Sequence, residues 1–166
     1  AQTASEQWLY MVRDATAGFD AWFEGLSGVH ASGVQAVYVV QEAATGEVLG
    51  CSSLMNRDMA HERVEIGNTW YVPKAQGGRV NPAVKLLLLR HAFSELGCWR
   101  VELKCDSRNL RSQSAMRKLG AREEGTLRGH MVVPDHRGGS LHRDTVYFSI
   151  LKSEWPWVEA GLLARL

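Results

Sequence analysis

At 166 residues, with 45% apolar and 22% charged side chains, the chain has the size and balance of one globular domain with a real core, and is too short for two comfortable ones. No apolar run approaches the ~20 residues of a membrane helix, and the start lacks the charged and apolar regions of a signal peptide. Net charge is +1, but residues 1–81 carry 5 basic and 9 acidic side chains (−4) and residues 82–166 carry 14 and 9 (+5). A basic second half suits an anionic ligand, with a solvated charged surface as the plainer alternative.

In chain order, the stretch from Ser5 to about Leu26 has helical spacing (Trp8, Leu9, Met11, Val12, then Phe19, Trp22, Phe23, Leu26), broken near Gly18. Residues 34–41 and 47–55 read as strands of a hairpin, joined by turn chemistry at Ala44-Thr45-Gly46. A third strand, 63–72, stops at Pro73, and its interior Gly67 predicts a bulge or a close backbone approach. Asn81 and Pro82 then predict an N-cap and first turn for a helix that buries Val84, Leu87, Leu88, Phe93 and Leu96 and ends at Gly97. Residues 99–105 alternate as a strand with one buried face. A second helix over 109–119 places Ser112, Ala115, Met116 and Leu119 on one side. Strands at about 124–133 and 143–151 follow, then a closing helix in SEWPWVEAGLLARL. There is no repeat or linker, so one α/β domain is expected.

Cys51, Cys98 and Cys105 are odd in number and form no C-x-x-C pair, the usage of reduced thiols in a cytoplasm rather than a disulfide framework or a zinc site. His136 and His142 flank a glycine turn without metal-ligand spacing. The six tryptophans are too scattered for a nucleic-acid stacking platform. Chain start at Ala1 without an initiator Met is consistent with trimming.

The order strand, Gly77-Gly78, Asn81-Pro82, helix has a chemical reading. A helix N-terminus offers unpaired N–H groups and partial positive charge to a phosphate, and glycines let it approach the backbone. The competing reading is a tight strand-to-helix reversal. The loop is neither a Walker A sequence nor G-x-G-x-x-G.

VEIGNTWYVP, the glycine loop with NPAVKLLLLRHAF, LGCWRVELKCDSRNLRSQSAMRKLGAREEGTLR and DTVYFSILKSEWP together resemble the GNAT acetyltransferase superfamily, closest to its RimJ/RimL-type N-acetyltransferase branch. The resemblance runs from about Glu47 to Val158. It implies an α/β (α+β) fold, a mixed and mostly antiparallel sheet with a splayed parallel strand pair flanked by helices. It also implies acetyl-CoA in the splay and transfer to an amine. On this resemblance the cofactor contacts fall on Trp70, Tyr71, Val72, Gly77, Gly78, Arg79, Val80, Asn81, Asn109 and Ser112. Two departures stand out. Arg79 takes the place of a small loop residue, and no strand is readable ahead of Ser5 where the family begins with one.

Acetyl transfer needs a neutral amine, a stabilised carbonyl oxygen and help for the departing thiolate. The resemblance gives the second task to a backbone N–H near Gly67-Asn68. The tyrosine that often assists the thiolate would fall on Met116, which cannot donate, and Ser112 is the branch's usual substitute. A serine bonded within its own helix is the alternative. Glu65 is the candidate base, against a cross-strand or solvated glutamate. Asp106, at a strand end, and His130, in TLRGH, are candidate substrate-side groups, against a helix cap and a surface histidine. TLRGH alternates so that Thr126, Arg128 and His130 share a face. Cys105 reads as core. No metal is expected. The leading reading is an N-acetyltransferase for a protein N-terminus or small amine; a catalytically silent acyl-CoA-binding or regulatory module and a basic nucleic-acid binder are carried beside it. The absent first strand and apolar GLLARL lead to the expectation of a homodimer.

Overall fold

The computed structural model describes residues 19–135 and 138–166. The helical reading ahead of Phe19, the question of a strand before Ser5, and His136 lie outside the described residues. The elements are α1 (Phe19–Ala31), β1 (Gln35–Gln41), β2 (Val48–Asp58), β3 (Arg63–Tyr71), α2 (Val80–Arg90), β4 (Arg100–Asp106), α3 (Leu110–Leu119), β5 (Arg122–Pro134), β6 (Ser140–Leu151) and α4 (Trp155–Leu163). Six strands form one sheet in the order β1-β2-β3-β4-β6-β5. Every neighbouring pair is antiparallel except β3 and β4, the pair joined by the α2 crossover.

Alternation along the strands sets the two faces. Val64, Ile66, Val101, Leu103, Val146, Phe148 and Ile150 point to one side and pack with Leu86, Leu89 and Phe93, with Leu119, and with Trp155, Val158 and Leu162. Three helices, α2, α3 and α4, therefore share that face. Phe93 stacks on Trp155 at 5.5 Å, and Arg90 pairs with Glu159 at 2.6 Å. Burying each large apolar side chain contributes about 1.5–3 kcal/mol. The opposite face at the middle of the sheet carries Glu65, Lys104, Asp106, Thr145 and Tyr147 instead.

The parallel ladder is short. It pairs Arg63, Val64 and Glu65 with Arg100, Val101 and Glu102, and then stops. β4 stays laddered to β6 as far as Asp106 opposite Thr145, and β3 stays with β2 as far as Tyr71 opposite Gly50. Beyond Glu65 the two strands part, and the β4-side edge of β3 has no strand partner. A bulge lies in the same stretch. Cys51 faces Trp70 and Ser53 faces Gly67, so Ser52 opposes both Asn68 and Thr69, and Asn68 takes a left-handed φ of 49°. Asparagine tolerates that conformation better than most residues. Gly67 answers to close approach: a Cβ there would stand 2.6 Å from Met55 Sδ.

Several expectations are corrected. Helix α2 begins at Val80, with Arg79 before it and no side-chain cap. Asn81 is not the cap; its Oδ1 accepts from Tyr71 Oη at 3.2 Å. The buried side of α2 runs through Pro82, Lys85, Leu86, Leu88 and Leu89, while Leu87 is 64% exposed. A step of about 100° per residue carries Leu87 off the stripe defined by Pro82, Lys85 and Leu89. The helix then widens, with Leu96 N bonding His91 O at 3.0 Å, before Gly97. In α3, Ala115 is exposed and Gln113 is buried, its Nε2 bonded to Ser107 O at 2.8 Å. The alternation expected of Thr126, Arg128 and His130 is broken, because residues 128–130 bulge opposite Asp144 between the pairs Leu127–Thr145 and Met131–Arg143.

Candidate functional site

The loop after β3 leads into α2 beside the splay. Gly77 has a φ of 74°, and a Cβ added at Gly77 or Gly78 would meet nothing within 4 Å. The backbone there is open to a ligand, and the 11-residue helix behind it points its N-terminus at that space. Gln76 braces the loop, donating from Nε2 to Tyr71 O at 2.8 Å and accepting from Arg111 at 2.6 Å. Arg79 donates to Leu166 O at 2.9 Å, so its side chain is engaged with the main chain of Leu166. Val80 and Val72 pack on a small cluster of Leu49, Tyr71 and Ala75. Trp70 lies opposite Cys51 in the β2–β3 ladder.

Lys85 is the residue that sequence reasoning missed here. It is 6% exposed, and its Nζ donates to Thr69 Oγ1 at 2.7 Å, which in turn shares a hydrogen bond with Ser52 Oγ at 2.7 Å. Burial pushes the Lys85 amine down to about 7. This chain ties the middle of α2 to the bulged part of β3. Its signal was present: Lys85 sits four residues after Asn81 and four before Leu89, on the stripe the helix period buries.

Ser112 and Glu65 flank the splay from opposite faces of the sheet and make no hydrogen bond to one another. On the helix side, Asn109 caps α3 by accepting from Ser112 N at 3.0 Å. The Ser112 hydroxyl stands beside the Cys105 thiol and works to lower its pKa, but burial outweighs it and pushes the thiol up. On the other side Glu65 is 3% exposed. Its Oε2 accepts from Lys104 Nζ and from Asn56 Nδ2, each at 2.9 Å. Its Oε1 lies 3.2 Å from where a Cβ on residue 67 would stand, so a glycine there keeps that oxygen uncrowded.

Asp106 is 1% exposed. It does not cap α3; Asn109 does. Its Oδ1 accepts from Arg108 N and Nε at 2.9 Å, and its Oδ2 from Arg108 Nη2 at 2.7 Å. Burial works to raise this carboxyl, but the Arg108 bonds outweigh it and hold it below the usual carboxylate range. His130 packs edge-on against Tyr147 at 5.6 Å, and Lys104 Nζ stands 5.7 Å over the same ring. The structure therefore joins Glu65, Lys104, Tyr147 and His130 into one polar surface. Lys104, Arg108 and Tyr147 were not predicted. Among the described residues no cluster of three or more His, Cys, Asp or Glu could hold a metal, and no helix is long and apolar enough to cross a membrane. All three cysteines are free and buried.

A mixed sheet whose one parallel pair opens beside a glycine loop and helix N-terminus is of the class of α/β acetyltransferase folds that solved structures similar to this chain share. The chain belongs to the GNAT acetyltransferase family: residues 2–122 match the acetyltransferase (GNAT) domain. It is 33% identical, over 110 residues, to the protein of Bacillus subtilis (strain 168) named "Putative ribosomal N-acetyltransferase YdaF"; those residues are 66% of this chain and 57% of that protein. Among solved structures, a GCN5-related N-acetyltransferase from Brucella melitensis superposes with a TM-score of 0.88 at 29% identity, covering 99% of this chain and 72% of that one. A probable acetyltransferase of the GNAT family from Chromobacterium violaceum gives 0.80 at 36% identity, covering 90% and 73%.

The buried Lys85 has a measurable consequence. In the folded state its amine titrates near 7, against 10.5 ordinarily, so between those values the unfolded chain binds the extra proton and stability rises with pH. Replacing Lys85 with Met removes that dependence. The stability difference between Lys85→Met and the parent, from denaturant unfolding, is expected to shift steadily in the parent's favour as pH is raised through this window. A pH-independent difference would contradict the assignment.

Proposed function

We propose that the protein is an acetyl-CoA-dependent N-acetyltransferase that acts on a primary amine, a protein N-terminus or a small amine. The observation that carries this reading is the parting of β3 from β4 after the Glu65–Glu102 pair, beside the open Gly77-Gly78 loop. A half-buried strand edge without a strand partner is costly, and a pantetheine-like chain with alternating amides supplies the missing hydrogen bonds. YdaF's name points to a ribosomal acceptor, which makes a protein N-terminus the first to test.

Acetyl-CoA supplies the acetyl thioester; the chain supplies placement and charge. The N-terminus of α2 and residues 77–81 hold the pyrophosphate. The bulge at Asn68 and Thr69 turns a main-chain N–H out of the β2 ladder to receive the carbonyl oxygen. Glu65, through Oε1, accepts the proton the amine nitrogen loses as it bonds to the carbonyl carbon. The carbon–sulfur bond breaks, and Ser112 donates a hydrogen bond to the leaving sulfur. A thiol with a pKa near ~8.5 needs only modest help at neutral pH, so a weak donor suffices. A silent acyl-CoA-binding module is the second reading, favoured by one observation: Oε2 of Glu65 is already committed to Lys104 and Asn56. The same proposal includes one GNAT-like domain, a cytoplasmic setting consistent with free thiols, and a homodimer, for which exposed Trp157, Leu163 and Leu166 provide apolar surface.

Two variants test the reading. Gly78 has open space around it and no left-handed φ, so Gly78→Val is expected to fold with a near-parental Tm and to bind coenzyme A at least about tenfold more weakly. Unchanged affinity, measured by calorimetry, would remove the loop from the site. Ser112→Ala is expected to lower thiol release from acetyl-CoA, with amine acceptors, by about 10- to 100-fold while leaving acetyl-CoA affinity nearly intact. A change confined to Tm would return Ser112 to a helix-turn role. Coenzyme A binding without thiol release from any amine in the parent would establish the silent module.

A further inference from the structure

Arg143 is a buried cation that the mechanism above does not use. It lies on β6, one alternation beyond Thr145, on the sheet face away from the helices. Its Nε donates to Thr145 Oγ1 at 3.1 Å. The residue is 4% exposed, yet no carboxylate oxygen of the described residues lies within 4.0 Å of its guanidinium. No hydrogen bond of the described residues engages Nη1 or Nη2.

Its surroundings account for the lack of a carboxylate partner among the described residues. Thr145 sits opposite Asp106, the last residue of β4, at the open end of the splay. On the other side Gly129 N donates to Asp144 Oδ1 at 2.7 Å, which fixes the β5 bulge and brings His130 onto Tyr147. Arg143 therefore stands in the corner between the end of β4 and that bulge. The two carboxylates whose fields act on it are spoken for: both oxygens of Asp106 by Arg108, and Oε2 of Glu65 by Lys104 and Asn56. Among these groups Lys104, Arg108 and Arg143 give three positive charges, and Glu65 and Asp106 give two negative ones. Burial holds the guanidinium below its ordinary range, with the fields of Asp106, Cys105, Glu65 and Tyr147 working the other way; at neutral pH it keeps its proton. A guanidinium this little exposed, with one hydrogen bond among the described residues, gains from a ligand that completes it.

We propose that Arg143 is the specificity determinant of the acceptor site, and that the acceptor is an amine that also carries a carboxylate, bound by the free Nη fork of Arg143. This rests on the acetyltransferase reading. Two coplanar N–H donors match the two oxygens of a carboxylate. One surplus positive charge matches its single negative charge, whereas a dianionic phosphate would overshoot it. The carboxylate can be the terminal group of a free amino acid or short peptide, or an acidic side chain next to a protein N-terminus.

Matched acceptors separate these sources: Ser-Ala with a free carboxylate against its amide, and Ser-Glu-amide against Ser-Gln-amide. Thiol release is measured with saturating acetyl-CoA. In one of the pairs the carboxylate member is expected to be favoured by about 10- to 100-fold in kcat/KM. In Arg143→Gln that member is expected to fall to the level of its neutral partner, chiefly through KM, and Arg143→Lys, which keeps the charge without the fork, to retain part of the preference. Equal use of both members of both pairs by the parent overturns the proposal and needs no variant. So does an Arg143→Gln effect that lowers both members alike, the mark of a structural role. If no amine releases thiol, the acetyl-transfer reading fails on its own, and calorimetry with the same compounds on the coenzyme A complex decides the anion site. Carboxylate binding to the parent that Arg143→Gln loses supports it, and absence of binding to the parent overturns it.

Discussion

The parallel ladder between β3 and β4 ends at Glu65 opposite Glu102, and most of what this structure can do follows from that. Each strand is still held on its far side, β3 by β2 and β4 by β6, so the gap is a fixed feature and not a frayed edge. The bulge at Asn68 and Thr69 bends β3 where the gap opens. Lys85, bonded to Thr69, anchors that bend to α2. The helix whose N-terminus faces the glycine loop and the strand that faces the gap are thus one mechanical unit. A ligand spanning both would find its two ends at a set distance, which is how a scaffold converts binding energy into orientation.

The two faces of the sheet are put to different uses around this gap. The helix face is apolar up to Cys105, where Ser112 is the polar group beside its thiol. The other face gathers charge: Glu65 with Lys104, Asp106 with Arg108, and Arg143, which has no carboxylate partner among the described residues. Surface ion pairs such as Lys74 with Glu47 or Arg117 with Glu123 contribute little to stability. The pairs beside the gap are different, because Glu65 and Asp106 are almost wholly buried and unpairing either would leave a charge without water. Such pairs specify geometry more than they stabilise the fold.

Much of the fold was legible in the sequence because strand alternation and loop chemistry are local signals. The strand ended by Pro73, the glycine loop and the helix after Asn109 fall within a residue or two of their expected bounds, and the hairpin is found where expected, its second strand running three residues further, to Asp58. The phase of α2 was not legible. Leu86 to Leu89 are all apolar and mark no side, and Lys85, the single charge between Val80 and Leu89, points inward against the usual rule that lysine faces water. The face of β5 failed for another reason: the bulge over residues 128–130 is set by a bond from Gly129 to Asp144 on the next strand, which no local pattern reports. The site follows the same division. Glu65, Asp106 and Ser112 could be picked out by type and position. Their partners Lys104, Arg108 and Cys105, and the isolation of Arg143, depend on cross-strand register and side-chain direction, which a sequence states only indirectly.

The central claim is that the gap between β3 and β4 is where the acyl carrier lies, and amide hydrogen exchange with and without coenzyme A tests it most directly. The account predicts slowed exchange at the amides of residues 66–72 on β3 and of residues 77–81 in the loop and first turn of α2, with β1 and β5 little changed. Coenzyme A binding that leaves β3 unprotected, or that protects only some other part of the sheet, would contradict it.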